Sequence, residues 1–344
     1  MAKDRIHELK QTSATFQARG VVFGMKKEKT YKNGGNWNVI EFGLNVNHNK
    51  PIYIKLNGFT RDEVFYYKKS ENKGEKGSTK RVAWKDRKNS PGEGYNLIGV
   101  KLTVGKDENG KNINKMFTEY DAVEHLHENL KDGESVFVNG NVVFSSFTDK
   151  NGQTKRKIEL VPTQISYMDP INFDSVEFEE MATFENTLVF SGIEKEIDEN
   201  DKKTGRAILS GYSIGYNTIE PISFIVDADH AKLAANLSKT LKSSNAIKTY
   251  GHINVISNTS AVETEDDGWG EVSVMERVNT PIKREYVIFR AIKESIDTET
   301  YSDESIAKAL KAIKNAKDAS EKFVDTSNDD SDWGDDNDDG DEPW

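Results

Sequence analysis

The sequence predicts a mainly β chain built as two similar halves, each a small barrel with one helix, followed by a C-terminal helix and a disordered acidic tail. Three observations lead there. Most of residues 13–295 consists of short runs rich in Val, Ile, Phe and Tyr between Asn/Asp/Gly/Lys turns, which is strand composition. Only three stretches carry helical periodicity. Finally, the two halves can be laid side by side.

In that alignment Thr15-Phe16 opens a strand like Thr183-Phe184. Trp37–Val46 corresponds to Arg206–Tyr216, and Pro51-Ile52-Tyr53-Ile54 to Pro221-Ile222-Ser223-Phe224. A helix follows in each half: Asp121–Leu130, with Ala122, Val123, Leu126 and Leu130 on one face, and Asp229–Leu241, with Leu233, Ala234, Leu237 and Leu241. Then Val136–Phe144 with Gly140 matches Ile247–Ile256 with Gly251, and Lys157–Ser166 matches Arg284–Lys293. Three strands, a helix and two strands is the order of the OB-fold, a five-stranded Greek-key barrel. An insertion at about 60–119 interrupts the first copy, and a loop, Ser257–Lys283, separates the last two strands of the second.

The remaining elements follow from local chemistry. Asp107-Glu108-Asn109-Gly110 and Asp149-Lys150-Asn151-Gly152 read as hairpin loops, Asn-Gly supplying the positive-φ positions. The third helix, Asp303–Phe323, is striped by Ile306, Leu310 and Ile313, with Asp303 and Glu304 in its first turn as the helix dipole favours. The expected organisation is a basic OB-like domain over 1–170, an acidic one over 171–300, an amphipathic helix over 301–324 and a tail over 325–344.

Charge is segregated along the chain. The formal net charge is −11, yet residues 1–170 carry a net +8, residues 171–324 a net −9, and the last twenty residues ten carboxylates with no Lys or Arg. Such a split is expected when one part of a chain faces a polyanion. The tail cannot bury enough apolar surface to fold. It ends in Asp338, Asp339, Asp341, Glu342, Pro343 and Trp344, and an indole at the tip suggests a hook for partner proteins rather than a solubility device alone. The absence of Cys excludes disulfides, thiolate metal sites and Cys nucleophiles and fits a reducing cytoplasm. With no apolar run of spanning length and no signal-peptide pattern, a cytoplasmic protein without membrane contact is expected.

Strand alternation supplies the sharpest local signal. Ile40, Phe42, Leu44 and Val46 share one face of their strand, as Ile52, Ile54 and Leu56 do of the next. Those aliphatic faces must be core, which turns Trp37, Tyr53 and Lys55 outward as a stacking platform with a cation beside it. Stacking on such a ring contributes ~1–3 kcal/mol per base whatever the base. The alternative is that Trp37 and Tyr53 lie under the insertion as satellite core. The second copy has Ser223 and Ile225 at the places of Tyr53 and Lys55, so it reads as a scaffold or protein-contact copy.

Arg61–Lys88 is the second candidate, ten basic residues against five acidic, interleaved with aromatics. Lys68, Lys69, Lys80, Arg81, Lys85, Arg87 and Lys88 could follow phosphates while Phe65, Tyr66 and Trp84 stack, around a mobile centre at Ser70 to Thr79. Phe65 and Tyr67 could instead plug the barrel base. Enzyme signals fail. Gly105–Asn112 has Asn112 where a P-loop needs Ser or Thr, and Asp335–Gly340 begins like a calcium loop whose bidentate Glu never comes. His125 and His127 fall on different helix faces. No catalytic residue, metal or cofactor is expected.

At this point the chain resembles phage-type single-stranded DNA-binding proteins. The likeness rests on the strand order, the basic aromatic first half and the acidic end Asp341-Glu342-Pro343-Trp344, where bacterial proteins of this function close on Pro and Phe. The resemblance implies sequence-independent coating of single-stranded DNA in replication, recombination or repair, and recruitment of partner proteins through the tail. Self-association is left open. A protein-interaction or virion-associated β-domain without nucleic-acid binding is the alternative.

Overall fold

The computed structural model describes residues 5–25, 30–32, 35–72, 74–148, 153–198, 201–256 and 283–326. The first half builds a closed five-stranded barrel from β1 (Ala14–Phe23), β3 (Trp37–Asn45), β4 (Pro51–Phe59), β10 (Ser135–Thr148) and β11 (Thr154–Tyr167). β1 pairs β3, β3 pairs β4, β4 runs parallel to β11, β11 pairs β10, and β10 returns to β1. The second half repeats this with β12 (Ala182–Ile197), β13 (Lys203–Ile214), β14 (Ile219–Val226), β15 (Ala246–Ile256) and β16 (Lys283–Asp297). Its pairings run β12–β13–β14, then parallel to β16, then β15 and back to β12. Both rings have the closure expected of an OB-fold, and the chain is mainly β.

Helices α1 (Glu119–Asn129) and α2 (Ala231–Thr240) fall between strands three and four of their barrels, as the repeat requires. Thr118 caps α1, its hydroxyl accepting from the Asp121 amide, and Ala122, Val123 and Leu126 enter the core. A short 3-10 turn, Ala228–His230, takes the start expected of α2. The third helix, α3 (Asp303–Thr326), buries Ile306 and Ala309 with Ile313 alongside, whereas Leu310 is 38% exposed. Ala309, a smaller residue that periodicity passed over, takes the buried place because the helix packs closely against Val189, Ile214 and Tyr301.

The two barrels join through their first strands. β1 and β12 pair antiparallel with Phe16 opposite Phe184, the very residues that the alignment equates. A pseudo-twofold axis therefore passes through that pair. Across each barrel Phe16 also faces Gly140 and Phe184 faces Gly251, and the ladder of strand four against strand five shifts register beside each glycine. A Cβ on Gly140 would collide with the Val161 carbonyl, and one on Gly251 with the Phe184 ring and the Val287 carbonyl. The glycine match thus marks a close backbone approach. One alignment changes: Phe42 lies opposite Ile54 as Leu209 lies opposite Phe224, so the counterpart of Trp37 is Thr204, two residues before Arg206. The β-ladder pairing, invisible in the sequence, sets that register.

The insertion is structured. β5 (Glu63–Lys68), β6 (Ser78–Ala83) and β7 (Asn96–Leu97) form a separate three-stranded sheet, and β8 (Val100–Lys106) with β9 (Asn112–Phe117) forms a hairpin beside β11. At its turn the Asp107 carboxylate accepts from the Asn109 and Lys111 amides and Gly110 has φ +76°, the hairpin loop expected. Ser78 and Thr79, expected in the mobile centre, belong to β6. The loop 149–152 and the segment 257–282 lie outside the described residues, as does 327–344.

Gly140→Ala and Gly251→Ala should each lower stability by about 1–3 kcal/mol through forced displacement of packed backbone. Gly192→Ala, where nothing lies near the added methyl, should stay within about 0.5 kcal/mol of the parent. Denaturant midpoints at constant m measure all three.

Candidate nucleic-acid interface

The β3–β4 pair forms the outer wall of the first barrel, and its pleat separates two rows. Ile40, Phe42, Leu44, Ile52, Ile54 and Leu56 are buried. Trp37 stands opposite Phe59, Glu41 opposite Lys55, and Gly43 opposite Tyr53, all on the outer side. Trp37 is half-buried and stacks on Phe59 at 5.8 Å with 17° between the rings; Phe59 itself is half exposed. From Phe59 to Tyr53 the outer row runs about 20 Å along β4.

At the far end Tyr53 is 42% exposed and meets Phe23 edge-on at 6.1 Å, where Gly43 leaves room for the Phe23 ring. The guanidinium of Arg284, at the start of β16 in the second barrel, lies 4.6 Å from the Tyr53 ring centre. Its Nε donates to the Pro51 carbonyl at 3.1 Å. Tyr53 is therefore covered in part by the other barrel and not by the insertion.

β11 extends the same surface. Glu159 receives Lys157 at 2.8 Å and Lys55 at 3.3 Å. Burial raises the Glu159 carboxyl, but the hydrogen bonds and charges of the two lysines outweigh it and hold it below its ordinary value. Lys157 is held above its own by the bond to Glu159. Register places Val143, Phe147, Lys155 and Lys157 on the side of Glu159, and Phe147 is half exposed. The protruding β10–β11 arm thus adds an aromatic and two cations to the outer row.

The insertion begins one residue after Phe59, and the Thr60 amide donates to the Asn36 carbonyl at 2.9 Å. Alternation along β5 is the reverse of what plugging the barrel would need. Val64 and Tyr66 point into a small core with Leu97, while Phe65 and Tyr67 are exposed. Two assignments are corrected. Tyr66 is 4% exposed and donates its hydroxyl to the Arg87 carbonyl at 2.8 Å, so it cannot stack on a base. Arg87 makes two bonds of 2.9 Å to the Asp121 carboxylate and lies over Trp84 at 4.4 Å, so it anchors the insertion on α1 rather than following phosphates. Trp84 is half-buried between Arg87 and the edge of Tyr120.

The other cations remain outward. Arg81 lies over Phe65 at 5.6 Å and 3.8 Å from Glu63; Lys80 lies over Tyr95 at 4.5 Å. Lys69 and Lys85 are exposed, Lys68 is half-buried, and Lys88 reaches to 4.0 Å from Asp121. The cavity between insertion and α1, about 660 Å³, is lined by Arg87, Lys88 and Lys115 and equally by Asp121, Glu124 and Glu128, so its formal charges balance. Among the described residues no group of three or more His, Asp or Glu could hold a metal ion.

The second barrel lacks this row: Ser223 is exposed and Ile225 half-buried at the places of Tyr53 and Lys55, and Arg206 is enclosed by Glu196, Asp227 and Glu285. Phe59, Phe147, Lys155 and Lys157 were missed by sequence reasoning. The Tyr53-Lys55-Asn57 alternation points to Phe59 if it is carried through Gly58. Arg284 left no such signal, since it belongs to the other copy.

Fold and face together define the class: a tandem OB-fold protein with one barrel wall carrying aromatics and cations. The YorF family model matches residues 69–325, and the chain belongs to that family. The match begins in the insertion, just after β5. No curated protein matches the chain. Two solved structures of the single-stranded DNA-binding protein from Thermus aquaticus, a deletion mutant and the wild type, are similar at TM-scores of 0.41 and 0.40. They share 10% and 9% identity, cover 86% of this chain, and are covered over 98% and 97% of their own. A likeness at that level determines nothing about this chain's ligand.

Asp121 should respond to pH. Burial raises its carboxyl, but the hydrogen bonds of Arg87 and Thr118 and the charges of Arg87 and Lys88 lower it further, for a net depression. The clasp is then fully present above about pH 4 and is lost as pH falls through the depressed folded value. Asp121→Asn should cost about 1.5–3 kcal/mol near neutrality and flatten this acid limb, as read from denaturation midpoints between pH 2 and 6.

Proposed function

We propose that the protein binds single-stranded DNA without regard to sequence, along the outer wall of the first barrel, and has no catalytic activity. The observation that carries this is the row Trp37–Phe59, Lys55 and Tyr53, continued by Phe147, Lys155 and Lys157 on the β10–β11 arm. Aromatic faces accept any base and alternate with cations that meet phosphates, on the wall and the strand 4–5 arm that OB-folds use for oligonucleotides. Lys55 and Lys157 share one carboxylate, so the pair contributes a single net positive charge that phosphates can reach. A base read by hydrogen bonds would need a fixed polar pocket, and the row offers partly exposed rings instead.

The cellular role we propose is coating of unwound DNA during replication, recombination or repair. The acidic tail would engage partner proteins through Trp344 and the acids before it, Asp338, Asp339, Asp341, Glu342 and Pro343. An indole beside a carboxylate fits an apolar pocket with a basic rim, which acids alone do not. Cytoplasmic residence goes with that role; no described helix is long and apolar enough to cross a membrane.

Labelled oligo-dT set against a duplex of equal length tests the reading. Single-strand preference with affinity falling steeply in salt is expected; equal binding to both, or to neither, would favour a protein-contact function. Trp37→Ala or Phe59→Ala should weaken oligo-dT binding by about 1–3 kcal/mol at an unchanged salt slope. Replacing Lys155 and Lys157 together by Ala should instead flatten the slope by about 1.4, since each phosphate contact on a single strand contributes about 0.7. Deleting Trp344 should leave oligo-dT affinity unchanged and abolish co-purification of replication proteins from host extract. Retained co-purification would make the indole incidental.

A further inference from the structure

We propose that Arg284 of the second barrel is itself a nucleic-acid contact, so that the single-strand face is built by both barrels; the inference rests on the reading above. The second half of the chain is acidic, and two cations on its strands are compensated within it: Arg206 by Glu196, Asp227 and Glu285, and Lys248 by Glu185 at 2.7 Å. Arg284 differs. No carboxylate among the described residues pairs with it, and its partners are two groups of the first barrel, the Pro51 carbonyl and the Tyr53 ring. The carbonyl takes Nε, which leaves both Nη groups without a partner among the described residues.

This arrangement suits a strand arriving from Phe59. A guanidinium lying over a tyrosine has a second planar face, on which a base can stack as it would on an aromatic ring. The two Nη groups are then donors for the adjoining phosphate, in a fork that lysine cannot reproduce. The bond from Nε to Pro51 holds the group in place before the strand arrives, so little side-chain freedom is lost on binding. Lys55, the neighbouring cation of the row, is tied to Glu159, so Arg284 supplies the uncompensated positive charge at the Tyr53 end.

The test uses the full-length protein and fluorescence anisotropy of labelled oligo-dT over a salt series. Arg284→Gln should bind about five- to tenfold more weakly, with a salt slope reduced by about 0.7. Arg284→Lys should restore the slope while leaving part of the affinity loss, because the charge returns and the planar face does not. The loss from Arg284→Gln should also shrink in a Tyr53→Ala background, since the two groups act as one stack. A group that merely clips the barrels together would shift the denaturation midpoint and leave the slope unmoved. If Trp37→Ala weakens binding while Arg284→Gln and Arg284→Lys keep parental affinity and slope, the inference is overturned and the first-barrel face stands. If Trp37→Ala has no effect either, the face itself is wrong and the inference falls with it.

Discussion

The antiparallel pairing of β1 with β12 is the contact on which the rest of the architecture depends. It fuses two closed barrels into one continuous sheet of thirteen strands, with Phe16 and Phe184 at the crossing point. The cores then merge: Phe184 stacks on Phe224 at 5.3 Å, and Phe144 from the β10–β11 arm meets Phe224 edge-on at 6.2 Å. Rings of two barrels in one cluster resist relative motion, because each would leave a cavity on separation. The union also removes an edge from each first strand, which would otherwise present unpaired backbone.

Electrostatics divides the molecule differently from packing. The first barrel and its insertion hold the positive charge, but much of it is already spoken for: Arg87 by Asp121, Lys50 by Glu180, and Lys55 with Lys157 by Glu159. A count of basic residues therefore overstates what a polyanion can reach. What remains is set by geometry, at the outward edge of the insertion and at Arg284. The second barrel, acidic as a whole, nevertheless sets one cation, Arg284, against the first.

Much of the candidate face was legible because a strand with one buried side has a period of two. Once Ile52, Ile54 and Leu56 are known to be core, the outward direction of Tyr53 and Lys55 follows. The insertion was less legible for the same reason inverted. In Phe65-Tyr66-Tyr67 aromatics occupy consecutive positions, so periodicity cannot say which ring enters a core; contact with Leu97 and the Arg87 carbonyl decides for Tyr66. Nor does composition distinguish Arg87 from Lys88, neighbours with the same charge, of which one makes two hydrogen bonds to a carboxylate thirty-four residues on and the other, exposed, only reaches to 4.0 Å from it.

The sequence by itself determined the strand order, the two-fold repeat, the segregation of charge and which side of each regular strand is core, because these depend on local periodicity and composition. Even the Gly140/Gly251 match was visible, though its cause, the backbone passing close behind each glycine, was not. Tertiary structure alone decided the register of strand two, the burial of Ala309 in place of Leu310, and the placing of Arg284 over Tyr53. Each depends on residues distant in the chain being brought within a few ångströms, and neither the pairing of ladders nor the proximity of two barrels leaves a periodic trace in either segment.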